Sequence, residues 1–220
     1  MPDLPLSRQY NREKGEMLML TKILKIKGDW EEVVNDCRST VGKGELGREP
    51  STAFKRSILI AEHSPIRDIV IKWRWPDIKY WITGHWARHR WEKYIRSQRT
   101  DRTGVPRDEL PQSAPVVFVG EANAQHLIDT LRKRLCFQAD PETREYAVDL
   151  KNSIHTIQPE LADVLVPNCV YRCGCPELCH CGHWDSFVIW ANKKGQSVAG
   201  LSIQERYDLY NEFFAEENKP

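Results

Sequence analysis

The sequence has no excess of charge of either sign: 32 basic residues face 31 acidic ones across 220 positions, a formal net charge of +1. A chain so balanced has no general field to draw in nucleic acid or an anionic membrane, so anion binding has to come from local clustering. Long apolar runs are also lacking. No segment approaches the roughly 20 apolar residues that a spanning helix needs, and the polar start MPDLPLSRQYNREKGE has no signal-peptide hydrophobic region. The expectation is a cytoplasmic protein with no membrane contact. Internal repeats and low-complexity tracts are absent. Cysteine is scarce except in one place: of seven, five (Cys169, Cys173, Cys175, Cys179 and Cys181) crowd into one short stretch. That odd and uneven set does not suit a secreted disulfide framework; it suits reduced thiols or a metal site.

What is present is enough hydrophobic sequence, 40%, for one sizeable core. Period-two alternation predicts strands over Met17–Ile26 and over DIVIKWRWPD, the second ended by Pro76. Helical periodicity with capping residues predicts helices over Asp29–Val41, Ser51–Glu62, EANAQHLIDTLRKRLCF, PETREYAVDLKNSIHTI, Pro159–Leu165 and LSIQERYDLYNEFF, the last opened by a Ser202/Glu205 capping box. IKYWITGHWARHR is ambiguous between strand and helix, with Gly84 interrupting either. The basic stretch after it and TGVPRDELPQSAP read as an extended loop, because Pro106, Pro111 and Pro115 exclude a regular helix. The whole reads as an α+β chain: a catalytic body over 1–166, and a Cys-rich loop with a C-terminal helix over 167–220 packed on the same domain.

The charge that the composition hides is gathered between Ala87 and Arg102. Arg88, Arg90, Arg96, Arg99 and Arg102, with Lys93 and His89, stand there against Glu92 and Asp101. Guanidinium groups suit bidentate contact with phosphate, so this stretch is a candidate nucleotide-phosphate or diphosphate site. It could equally be a solvated basic strip pairing with surface acids. A nucleic-acid surface is the weaker reading, since Trp86, Trp91 and Tyr94 offer stacking but no nucleic-acid module accompanies them.

Arg88-His89-Arg90, a spacer, then Ser97-Gln98-Arg99 resembles the signature of the flavin-dependent thymidylate synthases, Arg-His-Arg, seven residues and a serine. His63, in EHSP, resembles the family's flavin-contacting histidine in Gly-His-x-(Ser/Thr)-Pro. NAQHLIDTLRKRL resembles its helix that opens on Asn-Ala, here Asn123-Ala124, and ends on a nucleotide-binding arginine, here Arg134. ADPETREYA and VPNCVYRCGCPE resemble two later family segments, so the likeness spans about residues 18 to 178. Departures are clear: the spacer before Ser97 is six residues, the usual Asn-Glu before that serine is absent, and His85, Gln125 and Asp129 stand where glutamine, arginine and asparagine are common. The chain resembles a shortened, divergent member of the kind phages encode.

The resemblance implies an α+β fold, a homotetramer with shared active sites, and FAD-dependent methylation of dUMP to dTMP with methylenetetrahydrofolate and NADPH as co-substrates. It implies FAD contacts from His63, Arg88, His89, Arg90, Asn123 and Asp129. His85, Ser97, Gln98, Arg99 and Arg134 are implied for the nucleotide, with Arg134 and Ser97 nearest the chemistry. Two alternatives stay open: a hydroxymethylase or dCMP-acting enzyme of the same type, or a non-catalytic nucleotide- or nucleic-acid-binding homologue with a zinc loop. Singly, His63 could cap a helix C-terminus, Asn123 could be an N-cap, and Arg134 could lie at the surface. Cys169, Cys173, Cys175, Cys179 and Cys181 could hold a structural zinc, or be packed thiols or a local disulfide.

Overall fold

The computed structural model describes residues 10–11, 16–17 and 20–218. Residues 18–19 of the first expected strand, and the outermost residues of the expected 1–166 and 167–220 segments, lie outside these. In chain order the elements are β1 (Tyr10–Asn11), β2 (Glu16–Met17), β3 (Lys22–Lys27), α1 (Trp30–Ser39), α2 (Thr52–Ile60), β4 (Val70–Lys79), α3 (Tyr80–Ala87) and β5 (Glu92–Ile95). They continue with α4 (Thr100–Thr103), β6 (Pro115–Asn123), α5 (Ala124–Arg134), α6 (Pro141–His155), α7 (Pro159–Val164), α8 (Asn168–Arg172), α9 (His183–Lys193) and α10 (Ile203–Glu217). Short 3₁₀ turns lie at Ser64–Asp68 and Arg107–Glu109. The fold is α+β: β1 and β2 form a minimal ladder, and the main sheet has the order β3-β4-β6-β5 with every neighbour antiparallel. No helix among the described residues is long and apolar enough to cross a membrane.

Side chains of a strand alternate between faces, and the sheet uses this to bury one side. Ile71, Trp73, Trp75 and Ile78 of β4 face Val116, Phe118, Gly120 and Ala122 of β6 on the buried side. Pro76 does not end β4 as expected. The register shifts between Trp75 and Ile78, and this bulge accommodates a residue with no N–H to give. Two strands were hidden in sequence read as loop or helix. β5 lies inside the basic stretch, and charged residues suit its place at the sheet edge. β6 runs on to Asn123, so the helix expected from Glu121 begins only at Ala124. The ambiguous 78–90 stretch resolves into the end of β4 and helix α3, and α9 is an addition to the expected set.

Helix starts are fixed by side-chain caps: Asp29, Ser51, Asn123, Asp140 and Ser202 each accept a backbone N–H from the third residue on, and the Ser202/Glu205 capping box is complete. One continuous core runs from Trp30 to Phe214, so sheet, α6 and α10 share it. Lys151 of α6 is buried there. Its ammonium donates to the carbonyls of Ala162 (3.1 Å) and Leu165 (2.8 Å) and to Asn211 Oδ1 (2.8 Å) of α10. Burial brings its pKa down to about 7.

Gly120 is the point where two indoles come together. A Cβ there would stand 2.4 Å from both Trp73 Cζ2 and Trp91 Cζ3, whose ring centroids are 4.8 Å apart. Gly120→Ala is expected to destabilise the fold by about 1–3 kcal/mol through overpacking, read as a lower urea midpoint; an unchanged midpoint would show that the indoles can part cheaply.

Candidate functional site

The Arg88-His89-Arg90 turn is held by what flanks it. Trp86, closing α3, and Trp91, entering β5, are both buried, while Arg88 and Arg90 are exposed. The His89 and Trp91 amides bond back to the Trp86 and His89 carbonyls at 3.3 and 3.2 Å, and Lys93 Nζ donates to the His89 carbonyl at 2.6 Å. Anchored at both ends, the turn projects its polar side chains into a cavity of about 760 Å³.

The opposite wall is the start of α5, which leaves β6 without a loop. Asn123 caps it, its side chain accepting the His126 N–H at 2.9 Å, so the capping reading of this residue holds while it also lines the cavity. The structure thus brings Arg88, His89, Arg90, Asn123 and Asp129 to one place. It adds residues that sequence reasoning did not single out: Arg67 from the 3₁₀ turn, Lys133 from α5, and Tyr171 and Arg172 from α8. No local pattern marks these; only the fold brings them together. Arg67, Arg88, Arg90 and Lys133 have no ion-pair partner among the described residues. His63 is exposed at the start of the 3₁₀ turn and does not line the cavity.

Arg134, half-buried at the end of α5, donates from Nε to His89 Nε2 at 2.9 Å and from Nη2 to the His85 carbonyl at 2.6 Å. His85 Nδ1 in turn lies 2.7 Å from Thr143 Oγ1. Burial first, then Arg134, Lys133 and Lys93, bring the His89 pKa down to about 4, so its ring is neutral near pH 7 and its Nε2 accepts. Burial and the nearby Arg88 also lower the pKa of Arg134.

Behind this wall, Glu62 binds Arg132 and also accepts from Gln125 Nε2 at 2.6 Å. Burial raises the Glu62 pKa, but the hydrogen bonds from Arg132 and Gln125 outweigh it and the net shift is downward. Glu62 has φ 52°, a left-handed conformation unusual for a residue with a side chain. Arg132 lies flat on Tyr171, 3.6 Å from the ring centroid.

Ser97, Gln98 and Arg99 are placed elsewhere. They follow β5 at its far end, about 13 Å along a four-residue strand from its start, and border a separate hollow of about 350 Å³ with Arg96 and Arg107. Arg99 is already engaged, its Nε and Nη2 each donating to Asp101 at 2.9 Å. Within one chain, the two arginine groups therefore face different spaces.

The five cysteines weighed as zinc ligands differ in exposure. Cys169 is buried; Cys173, Cys179 and Cys181 are exposed. Among the described residues no three His, Cys, Asp or Glu side chains converge as a metal-binding group. Burial, with Cys136, Cys181 and Cys175 nearby, pushes the Cys169 thiol up to about 12.

No protein-family model matches the sequence, and no curated protein matches it. The structure is similar to the crystal structure of a UMP/dUMP methylase, PolB, from Streptomyces cacaoi bound with 5-Br dUMP. The TM-score is 0.54 at 14% identity, over 66% of this chain and 93% of that one. The likeness shows the fold: the α+β architecture is one that a nucleotide methylase uses.

Neutral His89 sets a pH dependence. The unfolded chain takes up a proton near pH 6.5 that folded His89 resists until about 4, so stability present at neutral pH is lost as pH falls through this window. His89→Asn is expected to flatten the decline of melting temperature between pH 7 and 4; a slope equal to that of the unmodified protein would contradict the assignment.

Proposed function

We propose that this chain methylates a pyrimidine nucleotide in the manner of the flavin-dependent thymidylate synthases, converting dUMP to dTMP. One observation carries the reading: residues 88–90 and 123–133, distant in sequence, meet around one cation-lined cavity, and Arg134, which does not line it, is hydrogen-bonded to His89, which does. The similarity to a UMP/dUMP methylase supports the same substrate class.

The residues present fit FAD. Its diphosphate is matched by Arg67, Arg88, Arg90 and Lys133, cations without acidic partners, around a volume suited to a cofactor. When bound, the flavin would supply the hydride, with NADPH as its reductant and methylenetetrahydrofolate as the one-carbon donor. Asn123 and Asp129 border the cavity as polar orienting groups. Arg134, fixed by two acceptors before any ligand arrives, would stabilise negative charge on a pyrimidine carbonyl as electron density moves toward the reacting carbon. Ser97 and Arg99 are assigned to the nucleotide phosphate. Within one chain they border a different hollow from the Arg88–Arg90 turn, in keeping with the proposal that a second subunit completes each site.

The test is a visible spectrum of the protein with FAD, followed by titration with dUMP, UMP and dCMP. Retained flavin whose band is perturbed by dUMP is the expected result, and a response to UMP or dCMP instead would reassign the nucleotide. Arg134→Ala is expected to keep the flavin and lose turnover by about 100-fold or more. Flavin that passes freely through an ultrafilter would overturn the proposal.

A further inference from the structure

A second cavity, of about 320 Å³, lies where the turn after α5 meets α6, α9 and α10, and no residue lines both it and the larger one. Phe137, Val148, Tyr210 and Phe214 make an aromatic and aliphatic side to it, and His183, Ser186 and Glu217 a polar one. Arg144 of α6 also lines it. This arginine is only 9% exposed and lies on Phe137, 3.5 Å from the ring centroid. Among the described residues its guanidinium has neither a hydrogen bond nor an ion pair. Burying an arginine charge without an acceptor is costly, and such groups are normally paired.

The neighbouring groups do not relieve it. His183 stacks on the same Phe137 ring at 4.0 Å and shares a 3.1 Å hydrogen bond with Tyr210. Burial and then Arg144 bring its pKa down to about 4, so it is neutral near pH 7. Glu217 stands at the rim, its Oε2 3.9 Å from His183 Nδ1. Its charge provides some negative potential at Arg144.

We propose that this cavity is a binding site for a small aromatic monocarboxylate, its carboxylate on Arg144 and its ring among Phe137, Tyr210 and Phe214. A planar guanidinium and a carboxylate are matched for bidentate contact. The aromatic side beside Arg144 suits a flat ring. Glu217 at the rim counts against a second negative charge, which separates this ligand from phosphate. The site lies apart from the proposed nucleotide chemistry, so it stands or falls independently of it.

Isothermal titration of the full chain with benzoate, benzamide and inorganic phosphate tests this. Benzoate is expected to bind and the other two not to. Arg144→Gln is expected to weaken benzoate binding by about tenfold or more. Because that variant removes a buried stacking partner, Ser186→Phe serves as a second: it fills the cavity from an exposed rim position and is expected to abolish binding with the melting temperature unchanged. Benzamide binding as tightly as benzoate, phosphate displacing benzoate, no benzoate binding at all, or unchanged affinity in a folded Arg144→Gln or Ser186→Phe protein would each overturn the proposal.

Discussion

The indole cluster over Gly120 is the contact on which the rest of the structure depends. Trp73 meets Trp91 at 4.8 Å, Trp75 meets Trp86 at 4.8 Å and Phe118 at 5.0 Å, so one aromatic layer joins β4, α3, β5 and β6. Each such ring buries on the order of 150–250 Å², roughly 4–6 kcal/mol of hydrophobic stabilisation as an upper estimate. The indole N–H groups of Trp73, Trp86 and Trp91 lack partners among the described residues, at about 1–3 kcal/mol each. Burial outweighs that loss. Because Trp86 and Trp91 belong to this layer, the turn between them stands outside it, with Arg88 and Arg90 exposed and His89 half-buried beside Arg134.

Electrostatics then separates structural cations from available ones. Lys27 and Lys72 share Glu121, Lys55 lies between Glu49 and Glu160, Arg56 between Asp163 and Asp208, and Lys79 meets Glu142. Acidic side chains are thus engaged around the sheet and helices. Beside the large cavity, Glu62 neutralises Arg132 while Arg67, Arg88, Arg90 and Lys133 are left open. A chain with almost no net charge can still offer a positive hollow, because among the described residues Asp129 is its one lining carboxylate.

Helices were legible where periodicity and a capping residue agreed: Asp29, Ser51 and Ser202 mark the expected starts, whereas the helix read from Glu121 is capped by Asn123. Strands were less so. β5 is short, charged and peripheral, so its pairing with β6 rather than its composition makes it a strand. β6 merges into α5 without a break, and Pro76 sits at a bulge that sequence does not announce. The site divides in the same way. Arg88, His89, Arg90 and Arg134 stood out through a motif, whereas Arg67 and Tyr171 enter only because the 3₁₀ turn and α8 happen to face α5. The neutrality of His89 was not visible either, since it follows from burial and three nearby cations.

Lys151 has a consequence for how the molecule is made. Two of its acceptors, on Ala162 and Leu165, come from nearby sequence, but the third is Asn211 on α10. During synthesis a nascent chain can assemble the sheet and the middle helices, yet the interior ammonium stays short of one acceptor until residue 211 has emerged. Partly made chains would therefore keep water at that point in the interior. Seating α10 supplies the last of the three acceptors.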